Sequence, residues 1–371
     1  MRRPLTASLA LVGLLATAGL ASAHVKYVTP GADPVAVAEF LATALSDPFN
    51  LFVLGSGGVV VGLTVAAYLK VRPLRRDVNL FRESLAGYED LLPWLLRLSL
   101  GLPLVGAGFS GYLFSPAVEP ANAVFVRLFG ITVGFLLLFG LATRFVAAVG
   151  LLVYVVGLVV NPALLLAVEY LPGFLAVLLV GPGRPSADDV LATLAADHST
   201  VYSRFDLAYH EVAEPFAARV APYRDYVPTV VRVGLGVAFL YLGISQKLMN
   251  PGEALAVVEK YGLTGVVPVA PELWVVGAGL TEALVGTLLV VGAFVRASSL
   301  VAFLLFTTTL FGLPDDPVVA HISLFGLVSA LLVTGAGPLS VDAWLSEHET
   351  GGEKATGGEA ADRSVSRVAD D

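Results

Sequence analysis

Three side chains able to carry or accept a proton interrupt the apolar stretches of the C-terminal half: Lys247, Glu282 and His321. Glu282 stands midway along one apolar run, Lys247 near the end of another, and His321 about one turn into a third. An ionisable group inside a hydrocarbon layer is costly, so each should face a partner, a water-filled cavity or a function. Lys247 is the natural counter-charge for Glu282. Together the three are candidates for catalytic proton transfer at a polar pocket. They fit equally a structural Lys–Glu pair that fixes helix packing, with His321 bonded to backbone. Gln246, beside Lys247, can bring an amide to the same pocket as a cofactor-binding group, or face lipid headgroups.

The elements that must position these residues follow from composition. Hydrophobic residues make up 56% of the 371-residue chain and charged residues only 14%, and the mean hydropathy is +0.81. A soluble domain cannot bury so much apolar surface, so lipid is the solvent for most of it. The 38 glycines suit close helix packing in a membrane. With no cysteine there is no disulfide, thiolate metal site or thiol catalysis. No metal site is expected: His24, at the start of an exported chain, has no further copper ligand nearby. His321 is alone among the histidines within a span, so a bis-His haem has no ligands. The net charge of −8, with Arg favoured over Lys, suggests a halophilic source and no nucleic-acid partner.

Arg2-Arg3, the apolar stretch from Leu9 to Leu20 and Ala21-Ser22-Ala23 read as a signal peptide over 1–23. The competing reading is an uncleaved anchor helix. Beyond it, nine apolar runs reach the ~17–25 residues that a crossing needs. They lie at about 51–71, 91–114, 123–142, 145–161, 163–181, 229–249, 272–293, 297–313 and 318–336. Asn161-Pro162 separates the fourth from the fifth. Lys70, Arg72, Arg75, Arg76 and Arg82 mark the loop after the first span as cytoplasmic. The mature N-terminus is then outside and the C-terminus inside. Glu119, Glu253, Glu259, Asp315 and Asp316 fall in outer loops. Arg97, Arg144, Arg232 and Arg296 sit near inner span ends, where snorkelling to phosphate headgroups accounts for them.

The chain repeats itself. Pro93-x-x-x-Arg97-x-x-x-Gly101 opens one block and Pro228-x-x-x-Arg232-x-x-x-Gly236 the other. Gly134, Gly140 and Arg144 recur as Gly286, Gly292 and Arg296 at the same spacing. Gly181-x-Gly183-x-x-Ser186-x-Asp188 recurs as Gly335-x-Gly337-x-x-Ser340-x-Asp342. This closing motif lacks the Gly-Lys-Ser/Thr ending of a phosphate loop and reads as a helix stop followed by a Ser-capped surface helix. Four spans per block make the copies parallel. The register sets Tyr112 against Lys247 and Gly130 against Glu282. The first block keeps Arg127 and Glu169, which read as a structural replacement ion pair.

With Gly243-x-x-x-Lys247 and Glu282-x-x-x-Gly286, the landmarks of the second block resemble those of the DoxX family of small four-helix membrane proteins. The first block resembles it more weakly. The expected layout is an N-terminal segment with the first span and a basic loop (24–90), a first DoxX-like module (91–183) and an amphipathic cytoplasmic linker (184–227). A second module (228–345) and an acidic tail without periodicity (346–371) follow. The fold class is all-α: a polytopic membrane protein of tandem four-helix bundles. The family name comes from membrane subunits of a thiosulfate:quinone oxidoreductase and quinol oxidase system. The resemblance therefore implies a membrane subunit of a quinone-linked oxidoreductase, with a quinone as cofactor and a redox partner subunit or a second copy as partner. The alternative is a non-catalytic scaffold or a carrier of a small solute.

Overall fold

The computed structural model describes residues 33–71, 73–118, 122–204 and 209–346. The signal peptide expected at 1–23, His24, Arg72, Glu119 and the acidic tail from 347 onward lie outside the described residues. All regular structure among the described residues is helical. Among the described residues, six helices are long and apolar enough to cross a membrane: Pro48–Val71, Glu89–Ser110, Thr143–Val160, Tyr209–Leu248, Pro271–Val291 and Val295–Gly312. The other three expected spans are shorter apolar helices, Ala123–Phe139, Tyr170–Val180 and Val318–Thr334.

In chain order the helices are α1 (Val37–Ser46), α2 (Pro48–Val71), α3 (Arg75–Ala86), α4 (Leu92–Ser110), α5 (Ala123–Phe139), α6 (Thr143–Val160) and α7 (Tyr170–Val180). There follow α8 (Ala187–Ala196), α9 (Glu214–Val220), α10 (Val227–Leu240), α11 (Pro251–Lys260), α12 (Pro271–Val291), α13 (Val295–Gly312) and α14 (Val318–Thr334). Helix α2 is apolar on every side and almost wholly uncovered, as suits a helix solvated by lipid. Pro162 ends the α-helical run as expected, and Asn161 then caps a short 3₁₀ turn, Pro162–Ala167, by accepting from the Ala163 amide at 3.1 Å. The run expected over 163–181 is therefore part 3₁₀ and part α. The linker differs too: its helical turns from Tyr209 continue into α10 instead of ending on the surface.

Glycine sets the closest helix contacts. A Cβ on Gly236 would lie 2.7 Å from the carbonyl oxygen of Gly286, and one on Gly286 the same distance from that of Gly236. This presses α10 against α12. Gly101 and Gly134 do the same for α4 and α5, at 2.9 and 2.8 Å. Small residues that let backbones touch are how membrane helices gain packing energy where water drives nothing. Helix α4 also packs on α14, and α7 on α10. At these seams Ser99 meets Gly326, and Pro172 meets Gly234.

The buried arginines correct the snorkelling expectation. Arg97 is 0% and Arg232 1% exposed. Arg232 donates to the carbonyls of Ala336 (2.9 Å), Leu289 (3.0 Å), Val290 (2.5 Å) and Leu339 (2.6 Å). These carbonyls belong to the C-terminal end of α12 and the turn after α14, where helices leave acceptors unpaired. Arg97 reaches Leu138 and Pro185, Arg144 reaches Leu178, and Arg296 reaches Leu332 and Val333. A helix C-terminus carries partial negative charge, so it replaces the lipid phosphate as the guanidinium's partner. Gly140 and Gly292, both at positive φ, leave the space that Arg97 and Arg232 fill.

The closing motifs are helix stops and caps, as expected. Asp188 accepts from the amides of Ala142 and Thr143 at 2.6 and 2.8 Å. Asp342 accepts from those of Phe294 and Val295 at 2.8 and 2.9 Å. Ser186 and Ser340 each accept from the amide three residues on, at 3.1 Å.

Candidate functional site

The site is built at the end of the bundle opposite the arginines. Past Leu240 the helix widens into π turns, Tyr241–Leu248. Such turns mark functional places in helices more often than chance. On an α-helix, positions 241 and 246 would point roughly 140° apart at ~3.6 residues per turn. In the π turns the Gln246 side chain instead hydrogen-bonds the phenol of Tyr241, and Lys247 is left to face α12.

Gly243 makes the meeting with α12 close. A Cβ there would lie 2.5 Å from the Gly279 carbonyl oxygen and 3.0 Å from the Glu282 Cβ. One turn further on, Lys247 Nζ donates to both carboxylate oxygens of Glu282, at 2.8 and 2.6 Å. Their side chains are 20% and 18% exposed, so the pair is sheltered yet still reachable.

His321 is brought to the same end with a partner that sequence reasoning missed. Asp316, in the turn between α13 and α14, places Oδ2 3.5 Å from His321 Nε2, and both side chains are 3% exposed. His321 Nδ1 lies 3.3 Å from the Pro317 carbonyl oxygen. That oxygen can only accept, so Nδ1 is the donor in this contact, and Nε2 faces Asp316. Burial pushes the Asp316 carboxyl above its ordinary value of 3.8, while His321 and then Lys247 pull it back. Asp316 thus ties the His321 pair electrostatically to the Lys247 pair. Its Oδ1 is buried without a hydrogen bond. The neighbouring Asp315 is exposed and fastens the same turn to α11, with Lys260 Nζ at 2.9 Å and the Tyr261 hydroxyl at 3.0 Å.

Lys247 and Glu282 are therefore joined directly, and His321 pairs with Asp316, whose carboxyl feels the Lys247 charge. Gln246 is fully buried and hydrogen-bonds Tyr241. The signal for Asp316 was Pro314-Asp-Asp-Pro317, a proline-fixed turn four residues before His321. Its two aspartates looked equally exposed.

The first block has a different filling. Tyr112 is partly buried. Two residues on, Phe114 sits edge-on among Phe129, Tyr154, Tyr170 and Phe174, with centroids 5.0–6.3 Å away. The Arg127–Glu169 ion pair expected there does not form among the described residues. Glu169 instead accepts from Ser323 of α14 at 3.0 Å.

What this arrangement can do is hold and pass protons. A sheltered ammonium can donate to an oxygen acceptor, and two carboxyl groups with an imidazole can exchange a proton at one end of a bundle.

Residues 227–314 match the family model DoxX. No curated protein matches the chain, and no solved structure does. The matched segment holds the Lys247–Glu282 pair and stops just short of Asp316 and His321, and the first block lies outside it. Residues 227–314 are thus similar to the DoxX family, within a chain whose apolar helices are those of a multi-pass membrane protein.

Proposed function

We propose that this chain is the membrane subunit of a quinone-linked oxidoreductase, with Lys247, Glu282 and His321 at its proton-handling site. The observation that carries the reading is the ion pair itself: Lys247 on both oxygens of Glu282 at 2.8 and 2.6 Å, four-fifths sheltered, with Asp316–His321 beside it. A quinone, when bound, supplies two-electron redox chemistry that also takes up two protons. The donor set fits such a headgroup: the Lys247 ammonium can donate to a carbonyl oxygen, and Glu282 can give up or take a proton. His321 and Asp316 can refill Glu282 from the end of the bundle. Gln246 acts by holding Tyr241. Electrons must come from a redox partner subunit, since the chain has no cysteine and no paired histidines for a metal centre.

The reading includes a tandem architecture, with the functional copy second. Its support is pairwise: Arg97 with Arg232, Asp188 with Asp342, and the reciprocal seams Ser99–Gly326 and Gly234–Pro172 fall at matching positions of the two blocks. The topology that follows from the basic loops puts the site at the outer face and the arginine end inside.

Isolation from native membrane, with assay of co-purified quinone and of quinone reduction, tests the proposal. Glu282→Gln should abolish reduction while the protein stays folded. An unchanged rate removes Glu282 from the mechanism. Lowered thermal stability with an unchanged rate would favour the scaffold reading, and uptake by proteoliposomes without any partner would favour the carrier.

A further inference from the structure

Glu169 is the carboxyl group that the proposed site does not use. It sits at the start of α7, only 3% exposed, and accepts from the Ser323 hydroxyl at 3.0 Å across the contact of α7 with α14. No cationic side chain lies within ion-pair distance among the described residues. Tyr154 of α6, 0% exposed, donates its hydroxyl to the Leu164 carbonyl at 2.9 Å and not to Glu169.

A lone carboxylate in a dry interior loses more hydration than a helix N-terminus and one hydroxyl restore. Such a group is held neutral, with its proton.

We propose that Glu169 is a second proton-carrying site, a neutral carboxylic acid held at the contact of α7 with α14. Its protonated state does not depend on the proton-handling reading of the Lys247–Glu282 pair.

Infrared spectroscopy of the full chain in lipid at neutral pH tests this. A carboxylic-acid C=O band should be present in the wild type, persist in Glu282→Gln and vanish in Glu169→Gln. Ser323→Ala keeps the acid and removes its donor, so the band should move to higher frequency. Exchange into heavy water should shift the wild-type band to lower frequency. Absence of a Glu169-dependent band at neutral pH overturns the proposal.

Discussion

Gly243 and Glu282 face each other where the π turns after α10 meet α12, so closely that a methyl group on Gly243 would lie 3.0 Å from the Glu282 Cβ. The missing side chain on one helix lets the charged one on the other reach Lys247. Replacing it therefore acts on the pair without touching either charge.

Gly243→Val should cost about 1–3 kcal/mol by overpacking and open the Lys247–Glu282 bonds. Thermal unfolding in detergent, followed by circular dichroism, measures the loss. Gly277, whose Cβ would meet open space, is the control, and Gly277→Ala should leave the midpoint unchanged or slightly raised.

The ion pair predicts a non-additive cycle. Lys247→Met strands the Glu282 carboxylate, and Glu282→Met strands the ammonium. Each single change should cost more than the double variant, with a coupling energy on the order of 1–3 kcal/mol. The partial exposure of both side chains sets the value toward the lower end. Additive losses would mean that the two groups do not support each other.

Arg232 joins the end of α12 to the turn after α14 through four carbonyls. Arg232→Ala should destabilise by on the order of 3–5 kcal/mol, since buried acceptors lose charge-assisted bonds. Arg97 serves only Leu138 and Pro185, so Arg97→Ala should cost less. Arg232→Lys should not rescue, because an ammonium cannot reproduce the fork. Folded yield and unfolding midpoint are the readouts.

Asp315 and Asp316 should titrate with opposite signs. Burial raises Asp316 in the folded state, so the folded chain holds that proton more tightly than the unfolded chain does. Its stabilising effect is present below the ordinary 3.8 and is lost as pH rises through the raised folded value. Asp315 is lowered by hydrogen bonds from Lys260 and Tyr261. Its contribution is present above 3.8 and is lost as pH falls through the lowered folded value. Midpoint against pH should therefore flatten just above 3.8 in Asp316→Asn and keep more of its height in acid in Asp315→Asn.

The Lys247–Glu282 pairing was legible because charge inside an apolar run demands a partner, and one was at hand in the same block. The caps at Ser186 and Ser340 were legible because capping is local: three residues suffice to form it. Burial of the arginines was not. Their partners are main-chain carbonyls on helices up to 107 residues away, and no residue type announces a carbonyl. Asp316 was hidden by its neighbour, since two adjacent aspartates in one turn took opposite surroundings through packing alone. Likewise Glu169 was matched to Arg127 by charge, whereas packing gave it a hydroxyl from α14.

The four arginine clasps all lie at one end of the bundle, and the π turns, the proline turn and the proton-bearing residues lie at the other. A bundle riveted at one end behaves as a set of levers. Displacement should grow with distance from the rivets, so motion should be larger at the polar end, where side-chain ion pairs replace the arginine clasps. Slow amide exchange should accordingly mark the arginine ends of α10, α12 and α14, with protection falling steadily toward Lys247 and His321.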